Sequence, residues 1–204
     1  MPAVLEIATK RNPKIPKTLI YEVLNGRPLY YKGYKEVVKK KVNIESIMGS
    51  SSLQAAIVSL LNTFLSNALP EYFSFTNEPG IHLELRENLS NDIALYLEDD
   101  IEVLNDKYFS IPPRISIEVD TKIELENYGS EEEYIFEKTA RLLEFGVEKV
   151  IWILTKTRRI VVATKSNRNW VVTDWLQEIE ITPNCRFVLN DLLKTKKITK
   201  TFAV

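Results

Sequence analysis

The chain has 204 residues, with 45% hydrophobic and 27% charged side chains and a formal net charge of −1, which suits one globular domain with a sizeable core rather than two small ones. A single cysteine, Cys185, excludes an internal disulfide and a cysteine zinc cluster, and a single histidine, His82, leaves little room for a histidine-rich metal site or a Ser/His/Asp triad, so any metal must be held mainly by oxygen. The longest apolar runs, such as Val150 to Leu154, fall well below the ~18 residues of a membrane span, and Met1 to Lys14 has no signal-peptide pattern, which predicts a soluble, cytoplasmic protein with no membrane partner.

Residues 1–17, with Pro2, Pro13 and Pro16 among basic residues, read as an N-terminal extension. The domain begins at Thr18. Leu19, Tyr21 and Val23 alternate with Ile20 and Glu22, and Asn25-Gly26 predicts a hairpin returning through Arg27 to Tyr31. Ser50 to Ser52 supply an N-cap before Leu53, Ile57, Leu60, Leu61, Phe64, Leu65 and Ala68, whose helical spacing ends near Pro70. Strand-like stretches follow at Tyr72 to Phe75, Ile81 to Leu85 and Asp92 to Leu97, then a loop rich in Asp and Glu. In 114–120, Ile115, Ile117 and Val119 share one face and Ser116, Glu118 and Asp120 the other. Ser130 with Glu133 is a capping box and Gly146 a left-handed stop, so 131–145 form a helix. Val150 to Leu154, Ile160 to Ala163 and Trp170 to Thr173 complete the strands, and 194–204 form a basic tail. A strand feeding a helix and then another strand, among other strands and a second long helix, predicts an α/β (α+β) domain over 18–193, with a central mixed sheet flanked by helices.

Lys138 is the residue out of place. At ~100° per residue it falls between Phe145 and Leu142, inside an arc that also holds Tyr134, Ile135, Phe136 and Leu143. Either it snorkels past these neighbours to water, or the helix presents it to carboxylates, a ligand or a cleft, because a buried ammonium needs a partner. Glu118 and Asp120 are two residues apart on one strand face, and Asp92 opens an earlier strand, so three carboxylates meet if the two strands are neighbours. Such a set suits Mg²⁺ or Mn²⁺, with the lysine orienting water or stabilising charge in phosphodiester hydrolysis. Lys122 shares the face of Glu118 if the strand continues, but would then lie ~13 Å further on, out of reach of a common metal. His82 reads as a surface or edge-strand residue, Cys185 as a small buried hydrophobe, and Trp152 as core. Trp170 and Trp175, with Arg158, Lys165 and Arg168 near them, suit packing more than base stacking. The lysines at 35 and 39–41, and those at 194, 196, 197 and 200, read as solvated faces or tails.

Taken in order, Tyr21 to Gly26, Met48 to Leu61, Glu78-Pro79-Gly80, Asn91 to Ala94, Ile115 to Val119, and Glu137-Lys138 through Gly146 to Trp152 resemble the Uma family of putative restriction endonucleases, a branch of the PD-(D/E)XK nuclease superfamily. The resemblance spans roughly residues 18–193 and lies in the ordered set, not in any one motif. It implies a restriction-endonuclease-like core, a divalent-metal site and hydrolysis of DNA. The family's aspartate falls on Asp92, its strand glutamate on Glu118 and its helix-borne lysine on Lys138, with Asp92 and Glu118 as metal ligands. Glu22 and Glu78 fall on further family glutamates and, with Asp120, are accessory candidates. The chain departs from the pattern at Asn91, where a proline is usual, at Gln54, at Asp120-Thr121-Lys122, and at Thr155, where an aspartate is frequent. The expected partner is DNA, and a symmetric homodimer would give two sites for two strands. The competing readings are a catalytically silent nucleic-acid-binding or protein-interaction module of the same fold, and a carboxylate-rich hydrolase acting on another phosphodiester or a nucleotide.

Overall fold

A computed structural model describes residues 15–196 of the chain. Most of the expected N-terminal extension, and the tail from 197 onward, lie outside these residues. The hairpin forms as its turn requires: β1 (Ile20–Leu24) and β2 (Arg27–Tyr30) pair antiparallel, and Asn25 and Gly26 both take positive φ, 52° and 71°. Two short helices follow, α1 (Tyr34–Val38) and α2 (Glu45–Met48), neither long enough to show a hydrophobic period in the sequence. The long helix α3 (Ser52–Ala68) is capped by the Ser51 side chain, which accepts from the Gln54 amide, and buries Ile57, Leu61 and Leu65 at helical spacing.

Strands β3 (Tyr72–Phe75), β4 (Gly80–Glu84), β5 (Glu87–Ser90), β6 (Ile93–Leu97) and β7 (Ile115–Val119) precede helix α4 (Glu131–Phe145). That helix has the expected cap, with Ser130 accepting from the Glu133 amide, and ends at Gly146 with φ 130°. After it come β8 (Lys149–Leu154), β9 (Arg159–Thr164), β10 (Asn167–Asp174), β11 (Glu178–Thr182), β12 (Cys185–Val188) and α5 (Leu189–Thr195). Helix α5 takes in the first lysine of the expected tail, Lys194.

The main sheet is mixed and six-stranded, in the order β10-β9-β8-β7-β6-β3. Its one parallel pair is β7 with β8, joined by the α4 crossover. A second sheet, β2-β1-β5-β4, is antiparallel, and β11 and β12 form a hairpin of their own. The period-2 alternation of the strands divides the interior into two cores. Ile115, Ile117 and Val119 of β7, with Ile151 and Ile153 of β8, face α3 and the β11–β12 hairpin. Val150 and Trp152 face the other way, onto Tyr134, Ile135 and Leu142 of α4 and Leu24, Ile81 and Leu89 of the smaller sheet.

One expectation for a side chain needs adjusting. Phe136, assigned to the apolar face of α4, is 54% exposed, and lies flat on Trp170 with ring centroids 4.5 Å apart. Its place at the edge of the arc lets one aromatic cover another at the surface instead of entering the core. Trp175 is buried, as are Trp152 and Cys185, and His82 sits exposed on the edge strand β4.

Candidate active site

The neighbouring strands β6 and β7 set the frame of the site. They run antiparallel with Ile93 opposite Ile117, so one step further brings Asp92 level with Glu118. Because Ile117 and Val119 turn toward α3, Glu118 must turn to the opposite face, where α4 crosses. Helix α4 meets it there with Lys138.

The lysine does not snorkel. Its side chain is 0% exposed, and its Nζ lies 3.1 Å from Glu22 Oε2, 3.1 Å from Glu118 Oε1 and 2.8 Å from the Ser90 carbonyl, to which it donates. The rings of Tyr134 and Trp152 lie 5.8 and 5.7 Å away. Burial by itself lowers the lysine's pKa, but Glu118 and Glu22 outweigh it and hold the ammonium above its ordinary value. Glu118 is only 2% exposed, and burial pushes its carboxyl up to about 8, with Lys138 pulling against that shift and Asp92 and Glu22 adding to it. Glu118 Oε1 is buried and has the lysine at ion-pair distance, yet no donor is aligned on it for a hydrogen bond. Glu22 receives the Tyr134 hydroxyl and, at 3.4 Å, the Ser90 amide. Burial, with Glu22 next, pushes the Tyr134 phenol well above its usual range, so it stays a donor.

A second cluster stands in front of the first. Asp92 Oδ2 accepts the Val119 amide at 2.8 Å, and Gln54 Nε2 bonds the Val119 carbonyl at 2.7 Å while standing 3.4 Å from both Asp92 oxygens. Asp92 is therefore fixed against the strand that carries Glu118. Its Oδ1 accepts from Lys122 Nζ at 2.9 Å, and the same ammonium reaches Glu78 Oε1 at 2.6 Å. Asp92, Glu78 and Lys122 line a cleft of about 590 Å³, together with Tyr31, Ser50, Ser59 and Thr76. Neither Glu118 nor Lys138 lines that cleft.

The reach of Lys122 corrects the sequence reading, which left it ~13 Å beyond Glu118 on a continuing strand. The strand does not continue. Asp120 adopts φ 59°, its amide bonds the Ile153 carbonyl at 2.9 Å, and the chain bends so that Lys122 swings back over Asp92. Asp120 is itself a correction among the accessory candidates. Its two carboxylate oxygens accept the Thr155 amide at 2.7 Å and the Thr155 hydroxyl at 2.6 Å, so it clasps the end of β8 and takes no part in the carboxylate cluster. Glu22 and Glu78 both join the clusters, Glu22 with Lys138 and Glu78 with Lys122. Gln54, singled out only as a departure, holds Asp92 and the Val119 carbonyl together.

The fold has a solved counterpart. It is similar to the crystal structure of a protein from Anabaena variabilis ATCC 29413 described as a putative nuclease belonging to DUF820, with a TM-score of 0.63 and 13% sequence identity over 85% of this chain and 89% of that one. No family model matches the chain, and no curated protein matches its sequence. At this identity the likeness establishes the architecture: a mixed α+β fold with multi-stranded sheets flanked by helices.

The donor set can be tested against a divalent cation. Among the described residues no group of three or more His, Cys, Asp or Glu side chains is placed to hold a metal ion by itself. A Mg²⁺ or Mn²⁺ site does not need one, because these ions keep several waters and take one or two carboxylates plus substrate phosphate. The buried, donor-less Glu118 Oε1 is the kind of atom that a cation would complete, and Asp92 supplies a second hard oxygen on the adjacent strand. Both are hard oxygen donors of the kind such an ion takes. No helix among the described residues is long and apolar enough to cross a membrane.

Proposed function

We propose that the chain is a divalent-metal-dependent nuclease that hydrolyses phosphodiester bonds in DNA. The observation that carries this reading is the buried Glu118 oxygen without an aligned donor, on the strand beside Asp92 and backed by Lys138. Sequestering a carboxylate and an ammonium costs several kcal/mol each before pairing, and such arrangements cluster at functional sites. Asp92 and Glu118 would hold the metal. When bound, the cation stabilises the charge that grows on the phosphate oxygens and lowers the pKa of a water. In the hydrolysis, a water oxygen adds to phosphorus as the bond to the leaving sugar oxygen breaks, and that oxygen takes up a proton. Glu22, Ser90 and Glu118 hold Lys138 so that its charge sits behind the metal-binding carboxylates, and Gln54 and the Val119 amide fix the Asp92 carboxylate at the cleft. The nuclease description of the Anabaena variabilis structure supports the same class of reaction.

That no group of three or more His, Cys, Asp or Glu side chains among the described residues is placed to hold a metal ion favours a second reading, in which the fold is a catalytically silent nucleic-acid-binding or protein-interaction module. Plasmid cleavage in Mg²⁺ or Mn²⁺ separates the two. The wild type is expected to nick and linearise the plasmid, with Asp92→Ala and Glu118→Ala at least ~10²-fold slower. Equal cleavage by all three proteins would identify a contaminant and leave the silent module standing.

A further inference from the structure

Two lysines stand at this site, and their surroundings differ in the one respect that matters for substrate. An ammonium has three N–H donors. Around Lys138 there are three acceptors within 3.1 Å, namely Glu22 Oε2, Glu118 Oε1 and the Ser90 carbonyl, and the side chain is sealed from solvent. Sealed in this way, it has no room to meet a phosphate. Lys122 has two acceptors, Glu78 Oε1 and Asp92 Oδ1, so one N–H has no protein acceptor among the described residues. Its side chain is 12% exposed and lines the cleft.

The backbone on both sides of Lys122 is fixed. Upstream, the left-handed Asp120 is clasped to Thr155 through both carboxylate oxygens. Downstream, the Lys122 carbonyl accepts the Lys32 amide at 2.8 Å, and Ile123 bridges to Tyr31 at the end of the first hairpin. Burial lowers the pKa of this lysine, but Asp92 and then Glu78 outweigh it, and the group keeps its proton.

We propose that Lys122 is the substrate-contacting amine of this cleft: Asp92 and Glu78 hold its Nζ, and its third N–H bonds a non-bridging phosphate oxygen as charge builds there. Lys138 is then a positioning residue that holds the Glu118 carboxyl from behind. The assignment rests on the hydrolytic reading above, and it moves the substrate-facing role from the helix to the turn after β7. No proton leaves Lys122 in this role. It acts as a fixed charge-assisted donor.

The test uses the full chain as wild type, Lys122→Ala, Lys122→Arg and Glu118→Ala, with two readouts. One is single-turnover cleavage of a labelled duplex in Mn²⁺. The other is affinity for the same duplex in Ca²⁺, followed by fluorescence anisotropy across a salt series. Lys122→Ala is expected to cleave at least ~10²-fold more slowly and to lower the slope of log affinity against log salt by about one, as for one lost phosphate contact. Lys122→Arg, which keeps the charge, should recover most of the slope. If Lys122→Ala fails to fold, Lys122→Gln, whose amide still bonds the two carboxylates, is judged by the same criteria. Wild-type cleavage and an unchanged slope in the Lys122 variant, beside an inactive Glu118→Ala, would overturn the role of Lys122 and leave the hydrolytic reading intact. Cleavage unchanged by Glu118→Ala would overturn both.

Discussion

Replacing Lys138 by Met is the sharpest test of the buried cluster, because the two side chains have similar length and the change removes the charge while leaving little void. Lys138 stands 3.1 Å from both Glu22 and Glu118, and because burial disfavours the charged form of Glu118, the pair with Glu22 sets the scale. At 3.1 Å and an effective dielectric of about 20, that pair has a gross attraction of about 5 kcal/mol. Removing the ammonium also removes its own desolvation cost, but it strands a nearly inaccessible Glu22 carboxylate with only the Tyr134 hydroxyl and the Ser90 amide. Breaking one side of a buried pair costs about 3–5 kcal/mol. With a urea dependence of about 2 kcal/mol per molar, the unfolding midpoint should fall by roughly 1.5–2.5 M. Adding Glu22→Gln to Lys138→Met removes the stranded charge and should return much of the loss. A midpoint shift below about 0.5 M for Lys138→Met would refute the account of Lys138 as a buried counter-ion.

Glu118 gives the stability a defined pH dependence. Its folded pKa of about 8 lies above the ordinary 4.5, so the folded protein holds a proton that the unfolded chain has released. That contribution is complete below about pH 4.5 and is lost as pH rises toward 8, by up to ~1.4 kcal/mol per unit. Urea midpoints at pH 5 and pH 8 should therefore diverge in the metal-free wild type and draw together in Glu118→Gln, whereas parallel profiles for the two proteins would count against the shift. In the core, Leu61→Ala on the fully buried face of α3 should cost about 2–5 kcal/mol, measured by the same denaturation, with no effect on the carboxylate clusters.

The elements with strong local chemistry were legible in the sequence. Asn25-Gly26 demanded a left-handed pair, Ser130 and Gly146 bounded α4, and the alternation of β7 put Glu118 on the face opposite Ile117 and Val119. Elements without such signals were not. β5 is a four-residue strand after Arg86 at φ 66°, and the β11–β12 hairpin alternates exposed with buried residues over runs too short to stand out. The odd placement of Lys138 on α4 pointed to a site, because a charge inside an apolar arc has to be paired.

The partners of each charge were decided only by tertiary structure. Glu22 and Lys138 are far apart in the chain and meet because the first hairpin joins β5 while α4 crosses the main sheet. Asp120 looked like part of a carboxylate pair with Glu118, but a single left-handed backbone step sends it to Thr155 and returns Lys122 to Asp92. Strand periodicity predicts a side chain's face only while the strand lasts, and no local signal in Asp120-Thr121-Lys122 announces where it ends. The sequence by itself determined which residues could carry charge into the interior. The end of β7, fixed by contacts to β8 and the first hairpin, decided which lysine faces the cleft and which is sealed behind it.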